Sequence, residues 1–162
     1  MSEDLVISGA SKAEQYESFT QQLTYLLADT PNPLTQVSQL LAALQHGFGF
    51  LWTGIYQVHG DQLVLGPFQG PIACVTIARG RGVCGTAWHE ARTLVVPDVD
   101  AFPGHIACSS ASRSEIVLPV FRGQEVIAVL DIDSAELGTF DEVDQRFLEE
   151  IVATYLAPCL PL

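Results

Sequence analysis

The sequence predicts an α+β domain built on a mostly antiparallel sheet. Two observations carry this. Apolar residues recur at helical spacing near both ends of the chain, and between them the period drops to two, in short runs separated by tight turn signals. Helices at the ends with hairpin-linked strands in the middle argue for a sheet covered by helices rather than a parallel α/β architecture.

Taken in order, residues 11–28 read as an amphipathic helix, with Tyr16, Phe19, Leu23, Leu26 and Leu27 on one face. The prolines of "DTPNP" stop it. A second helix spans about Leu34 to His46 and ends at Gly47 and Gly49. "FLWTGIYQV" is a strand, His59-Gly60-Asp61 its turn and "QLVLGPFQG" its partner. "IACVTIA" makes a third strand that runs into the glycine loop "RGRGVCG" and a short helix, Val83 to Ala91. A strand at "TLVVPDV" leads into a polar loop with one helical turn. "SEIVLPVF" and "EVIAVLDID" then form a hairpin around Arg122-Gly123-Gln124. The last helix, about Glu142 to Leu156, is expected to start on Asp141 as N-cap.

Length and composition bound the function. A chain of 162 residues with 48% hydrophobic and 16% charged residues can bury a core as one domain, with residues 1–10 as a flexible tail. No apolar run is long enough to span a bilayer. The polar, acidic start lacks the pattern of a secretory signal, so a cytoplasmic location is expected. The net charge is -12, from 19 acids against seven bases, and would repel a phosphate backbone. Nucleic acid and membrane are therefore not expected partners, whereas a cationic group such as an ammonium is favoured.

Four cysteines stand at 74, 84, 108 and 159, with no C-x-x-C pair. In a reducing compartment they are inert thiols, metal ligands or redox groups. Cys84 lies near a helix N-terminus. The dipole there would lower its pKa, and the competing reading is a small buried packing residue. Cys108 follows His105 at i+3, so on a helical turn the imidazole could assist the thiol. The spacing of Cys74, Cys84, His105 and Cys108 fits no familiar zinc pattern, and no metal is expected. "GRGVCG" matches the glycine fingerprint of dinucleotide sites in outline. Hairpin-linked strands around it point instead to a tight turn that aims helix amides at an anionic group.

The acids carry more. Asp131 and Asp133 are two apart on a strand and share a face, expected also to hold Ile127 and Val129. With a three-residue loop at 122–124, Glu115 would lie opposite Asp131 and Arg113 opposite Asp133; a two-residue loop would turn Glu115 to the other face. The first register gathers three acids and an arginine into one patch, able to hold a cation and to keep an acid protonated near neutrality. Trp52 and Tyr56 share a face across Gly54, as core packing or as an aromatic wall against a small apolar group.

The strings "IACVTIARGRGVCGTAW", "VPDVDAFPGHIACSSASRSEIVLPV" and "LDIDS" resemble the signature of the free methionine-(R)-sulfoxide reductases, built on the GAF fold. The resemblance covers about Phe50 to Phe140. Ser109 departs from it, since the family often has an acid there, and Cys159 falls outside it. The resemblance implies a GAF-like domain with the terminal helices on one side of the sheet and a pocket of loops and short helices on the other.

It also implies a reaction. Cys108 attacks the sulfur of free methionine-(R)-sulfoxide, methionine leaves and a sulfenic acid remains. A second thiol closes a disulfide that thioredoxin reduces, with no bound cofactor. Cys74 is favoured as that thiol, with Cys84 as alternative or relay. Glu115, Asp131 and Asp133 are suited to protonating the sulfoxide oxygen and binding the substrate ammonium. Trp52 and Tyr56 would enclose the methyl group. Backbone amides near the glycine loop or in the stretch His105, Ile106, Ala107 would take the carboxylate. A homodimer is expected.

Overall fold

The computed structural model describes residues 4–106 and 108–162. Four helices surround a six-stranded sheet: α1 (Lys12–Leu27), α2 (Pro33–Phe48), β1 (Trp52–His59), β2 (Gln62–Gln69), β3 (Thr76–Ala78), α3 (Gly82–Glu90), β4 (Leu94–Val96), β5 (Ser114–Arg122), β6 (Glu125–Ser134) and α4 (Glu142–Ile151). Strand order is β3-β2-β1-β6-β5-β4, and every neighbouring pair is antiparallel.

The sheet divides two apolar layers. On one face, α1, α2 and α4 bury Tyr16, Phe19, Leu40, Leu44 and Leu148 against Ile55, Leu118, Leu130 and Ile132. The other face carries Trp52, Tyr56, Val117 and Val129 and is covered by α3, with Cys84, Ala87 and Trp88. This period-two split assigns alternate residues of β1, β5 and β6 to helices or to pocket. Among the described residues no helix is long and apolar enough to cross a membrane.

Capping explains where the helices begin. Asp141 accepts from the Val143 and Asp144 amides, and Asp144 returns a bond to the Asp141 amide, a reciprocal cap. The same Asp144 is buried and binds α1: Tyr16 donates to its Oδ1 at 2.6 Å and Lys12 to its Oδ2 at 2.6 Å. One carboxylate thus starts α4 and ties it to the N-terminal helix. Of the expected tail, residues 1–3 lie outside the described residues, and in the rest the Val6 amide donates to Gln22 Oε1 of α1 while Leu5 and Ile7 pack against the core.

Three elements differ from the pattern reading. The third strand is regular only over Thr76–Ala78: the Val75 carbonyl still accepts from the Leu65 amide at 3.0 Å, and ahead of it Cys74 leaves the ladder to join Cys108. The helical turn of the polar loop lies at Val99–Ala101, ahead of His105. The hairpin turn holds two residues, Gly123 and Gln124, with Arg122 paired to Glu125. A β-bulge between Val120 and Phe121 then adds one residue to β6, so Glu115 pairs with Asp133, Ser114 with Ser134 and Val117 with Asp131. Ile127 sits at the bulge and packs with the helical layer, whereas Val129 stays on the pocket side.

Candidate active site

The register places a row of functional side chains across three strands. Trp52 on β1 pairs with Asp133 on β6, which pairs with Glu115 on β5; one step along, Gly54 pairs with Asp131. All point to the pocket face. Glu115 therefore joins the two aspartates as expected, though opposite Asp133 and not Asp131. The bulge supplies the parity that a two-residue turn alone would have lost. Arg113 does not join them. It precedes β5, its side chain is exposed, and its amide bonds the Ser134 carbonyl at 2.7 Å.

Glu115 and Asp131 are only 5% and 6% exposed. Burial, then the charges of Asp131 and Asp133, push the Glu115 carboxyl well above the ordinary range. Burial also raises Asp131, against the opposing pull of hydrogen-bonding contacts with Glu115 and Cys84 and of the His105 charge. Asp133 is pushed well up by burial and by Asp131, and a 2.8 Å bond from the Ser112 hydroxyl works the other way. Like charges in a dry site resist ionising together, so burial and mutual repulsion favour the protonated forms of the cluster. Asp131 Oδ1 is the one buried side-chain polar atom without a hydrogen-bond partner among the described residues.

Cys84 is buried on α3, and its Sγ lies within 4.8 Å of carboxylate oxygens of Glu115 and Asp131. Burial, then the charges of Asp131, Glu115 and Asp133, raise its pKa well above that of an ordinary thiol. The helix dipole is outweighed, and Cys84 is a neutral thiol, not a thiolate. A metal could be held by this trio only after each group lost its proton.

Cys74 and Cys108 are joined in a disulfide with Cα atoms 5.5 Å apart. Aromatic side chains hold the segment carrying Cys74. The Trp52 indole donates to the Pro71 carbonyl at 3.0 Å and the Tyr56 hydroxyl to the Cys74 carbonyl at 2.9 Å. Their rings stack at 5.9 Å, and Trp52 also stacks on Phe68 at 5.3 Å. Gly54 makes this possible: a Cβ there would stand 2.4 Å from the Trp52 ring and 2.5 Å from Phe68 Cβ.

The remaining expected residues fall at the same place. His105 Nε2 lies 4.0 Å from Glu115 Oε1, so the imidazole faces the acid. His105 and Ile106 are not helical, and the i+3 helical pairing with Cys108 is not formed. Ile106 packs over Gly82, whose φ of 61° and close approach admit no side chain; a Cβ would be 3.1 Å from Ile106 Cγ1. Ala107 lies outside the described residues. The glycines of the 80s loop close a turn from β3 into α3, with the Gly80 amide bonded to the Gly85 carbonyl at 2.9 Å. An antiparallel sheet surrounds that turn, not a βαβ unit, which removes the dinucleotide reading.

Trp52, Tyr56, Cys84, His105, Cys108 and the three acids line one cavity, in which about 50 Å³ is open to the centres of water-sized molecules. Ser109, noted as a departure from the family pattern, lines it as well, and so do Ser112 and Arg81, which escaped the sequence reading. Nothing in a serine three residues before Glu115 marks it as the partner of Asp133. Arg81 could have been noticed, as a base inside the glycine loop.

A GAF domain family model matches residues 34–156. A free methionine-R-sulfoxide reductase from Escherichia coli is 43% identical over 144 residues, covering 88% of this chain and 87% of that protein. The chain belongs to the GAF-domain family of the free methionine-R-sulfoxide reductases. A GAF domain-containing protein from Dictyostelium discoideum is 53% identical and covers 94% of this chain and 97% of its own length. Among solved structures, the Neisseria meningitidis free methionine-R-sulfoxide reductase in complex with its substrate superimposes with a TM-score of 0.90 at 46% identity, over 98% of this chain and 95% of that one. In this GAF domain the terminal helices cover one face of the sheet, and the disulfide and acids occupy the other.

Proposed function

We propose that the protein reduces free L-methionine-(R)-sulfoxide to L-methionine. The observation that carries this is the Cys74–Cys108 disulfide, formed at the cavity that also holds the buried Glu115, Asp131 and Asp133. Redox-active sulfur beside protonated acids is what sulfoxide reduction requires. In the reduced protein the Cys108 thiolate attacks the sulfoxide sulfur while the cluster gives a proton to the departing oxygen. Methionine leaves, with its sulfur reduced by two electrons, and Cys108 holds the oxygen as a sulfenic acid. The Cys74 thiol attacks that sulfenic sulfur, releases water and closes the disulfide. Two electrons from thioredoxin reopen it. Cys84, a neutral thiol on the cavity wall, is a reserve partner or relay.

Binding follows the same chemistry. The unpartnered Asp131 Oδ1 calls for a donor, which the substrate ammonium supplies. Trp52 and Tyr56 enclose the methyl group, and amides at the start of α3 and around His105 and Ile106 take the carboxylate. A peptide-bound sulfoxide lacks the ammonium and would leave buried acids unpaired, a strong basis for refusal. A cytoplasmic homodimer, in contact through its N-terminal helices, belongs to the same reading. A thioredoxin-coupled NADPH assay with both epimers, free and N-acetylated, tests it. Turnover of the free R epimer alone is expected, and equal turnover of the acetylated compound refutes the pocket.

A further inference from the structure

The disulfide needs electrons from outside, and the molecule is asymmetric around it. Cys74 lies on the segment between β2 and β3, bracketed by Ile72, 90% exposed, and Val75, 67% exposed. Cys108 has no such flank among the described residues: Ile106 packs into the pocket layer, and Ser109 and Ser110 are polar. The segment of chain that carries Cys74 is also poor in acids. Residues 62–89 contain no aspartate or glutamate and two arginines, in a chain of net charge -12. An approaching acidic protein would meet repulsion elsewhere and little here. Two large apolar side chains within two residues of a reducible sulfur form a contact that a small-molecule reductant does not need.

We propose that Ile72 and Val75 form the docking surface for a protein dithiol of the thioredoxin class, and that its thiolate attacks Cys74 Sγ. This rests on the redox role proposed above. A partner S–Cys74 bond forms, the Cys74–Cys108 bond breaks, and Cys108 leaves as a thiolate. The partner's second thiol then attacks its own sulfur in the mixed disulfide, releasing Cys74 as a thiolate and closing the partner's disulfide. Protons lost by the partner's two thiols go to solvent or to the thiolates formed, and two electrons are transferred. The expelled sulfur is the one that faces the next substrate, while the partner rests at the rim of the cavity, which Ile72 lines.

Two measurements on the oxidised protein, without any sulfoxide, test this. First, thioredoxin whose second active-site cysteine is replaced by serine is added, and the trapped mixed disulfide is mapped by mass spectrometry. Linkage at Cys74 is expected; linkage at Cys108 overturns the assignment. Second, disulfide reduction is timed in the Ile72→Glu, Val75→Glu double variant. Reduction by thioredoxin should slow about tenfold and reduction by dithiothreitol should stay within about twofold. An unchanged thioredoxin rate, or equal slowing with both reductants, refutes the docking surface. Absence of sulfoxide turnover would defeat the functional reading alone, because neither measurement uses it.

Discussion

The Tyr56 hydroxyl donates a 2.9 Å hydrogen bond to the carbonyl of Cys74, so one ring of the aromatic wall holds the backbone of the disulfide partner. Tyr56→Phe keeps the ring and removes the tether. One hydrogen bond of about 1 kcal/mol corresponds to about a fivefold effect. Methionine release in a single turnover should be nearly unchanged, whereas disulfide closure should slow by about that factor. Dimedone should then trap more Cys108 sulfenic acid than in the wild type. Parallel loss of both steps would show that the hydroxyl serves substrate binding instead.

The acids predict a pH dependence with a definite sign. Glu115, Asp131 and Asp133 have carboxyl pKa values raised above those of the unfolded chain. Between the unfolded and folded values the native state binds more protons, so stability falls as pH rises through that window. The window opens near the ordinary values of 3.8 for the aspartates and 4.5 for the glutamate and extends upward. Glu115→Gln removes part of the cost. Its Tm should exceed the wild-type value by more at pH 8 than at pH 5, while turnover drops at both. Thermal melts at the two pH values decide; a gain at pH 5 only would contradict the assignment.

Cys84 is buried and protonated, so it should react slowly. Iodoacetamide at pH 8 should modify it at least about a hundredfold more slowly than an ordinary accessible thiol, and at full rate after unfolding. Time-resolved mass spectrometry of the native disulfide form measures this. Prompt labelling would mean that the site admits reagent and stabilises the thiolate.

Gly54 is the space in which the Trp52 ring lies. In Gly54→Ala the new methyl must displace the indole or β2, at a cost of about 1–3 kcal/mol. A lower Tm, altered tryptophan fluorescence and a raised KM are expected together. A variant with wild-type Tm and KM would show that the strand gives way without moving the ring.

Much of the site was legible because strands alternate. Asp131 and Asp133 had to share a face, as did Trp52 and Tyr56, whatever the tertiary context. The N-cap at Asp141 and the helical stripe through Tyr16 were equally local. Glu115 needed the register of a hairpin, and neither turn length nor bulge is written in residue types. The expected face was reached through a different pairing, Glu115 with Asp133. Ser112 has no local signature. The charge state of Cys84 stayed open between two readings because a helix dipole is visible in sequence, whereas burial among three acids is a product of the fold.

The extra residue of β6 near Ile127 has a consequence for anyone redesigning this hairpin. Trimming Ile127 would erase the bulge and leave Glu115 opposite Asp133, whereas drawing Ile127 into an unbroken ladder would set Glu115, roughly 17 Å away at the rise of a strand, opposite Ile132 and on the face away from the two aspartates. In that slipped register the cleft would lose an acid and the protein would gain a carboxylate among leucines. The distant tip therefore tolerates the loss of this amino acid better than its absorption into the strand pairing.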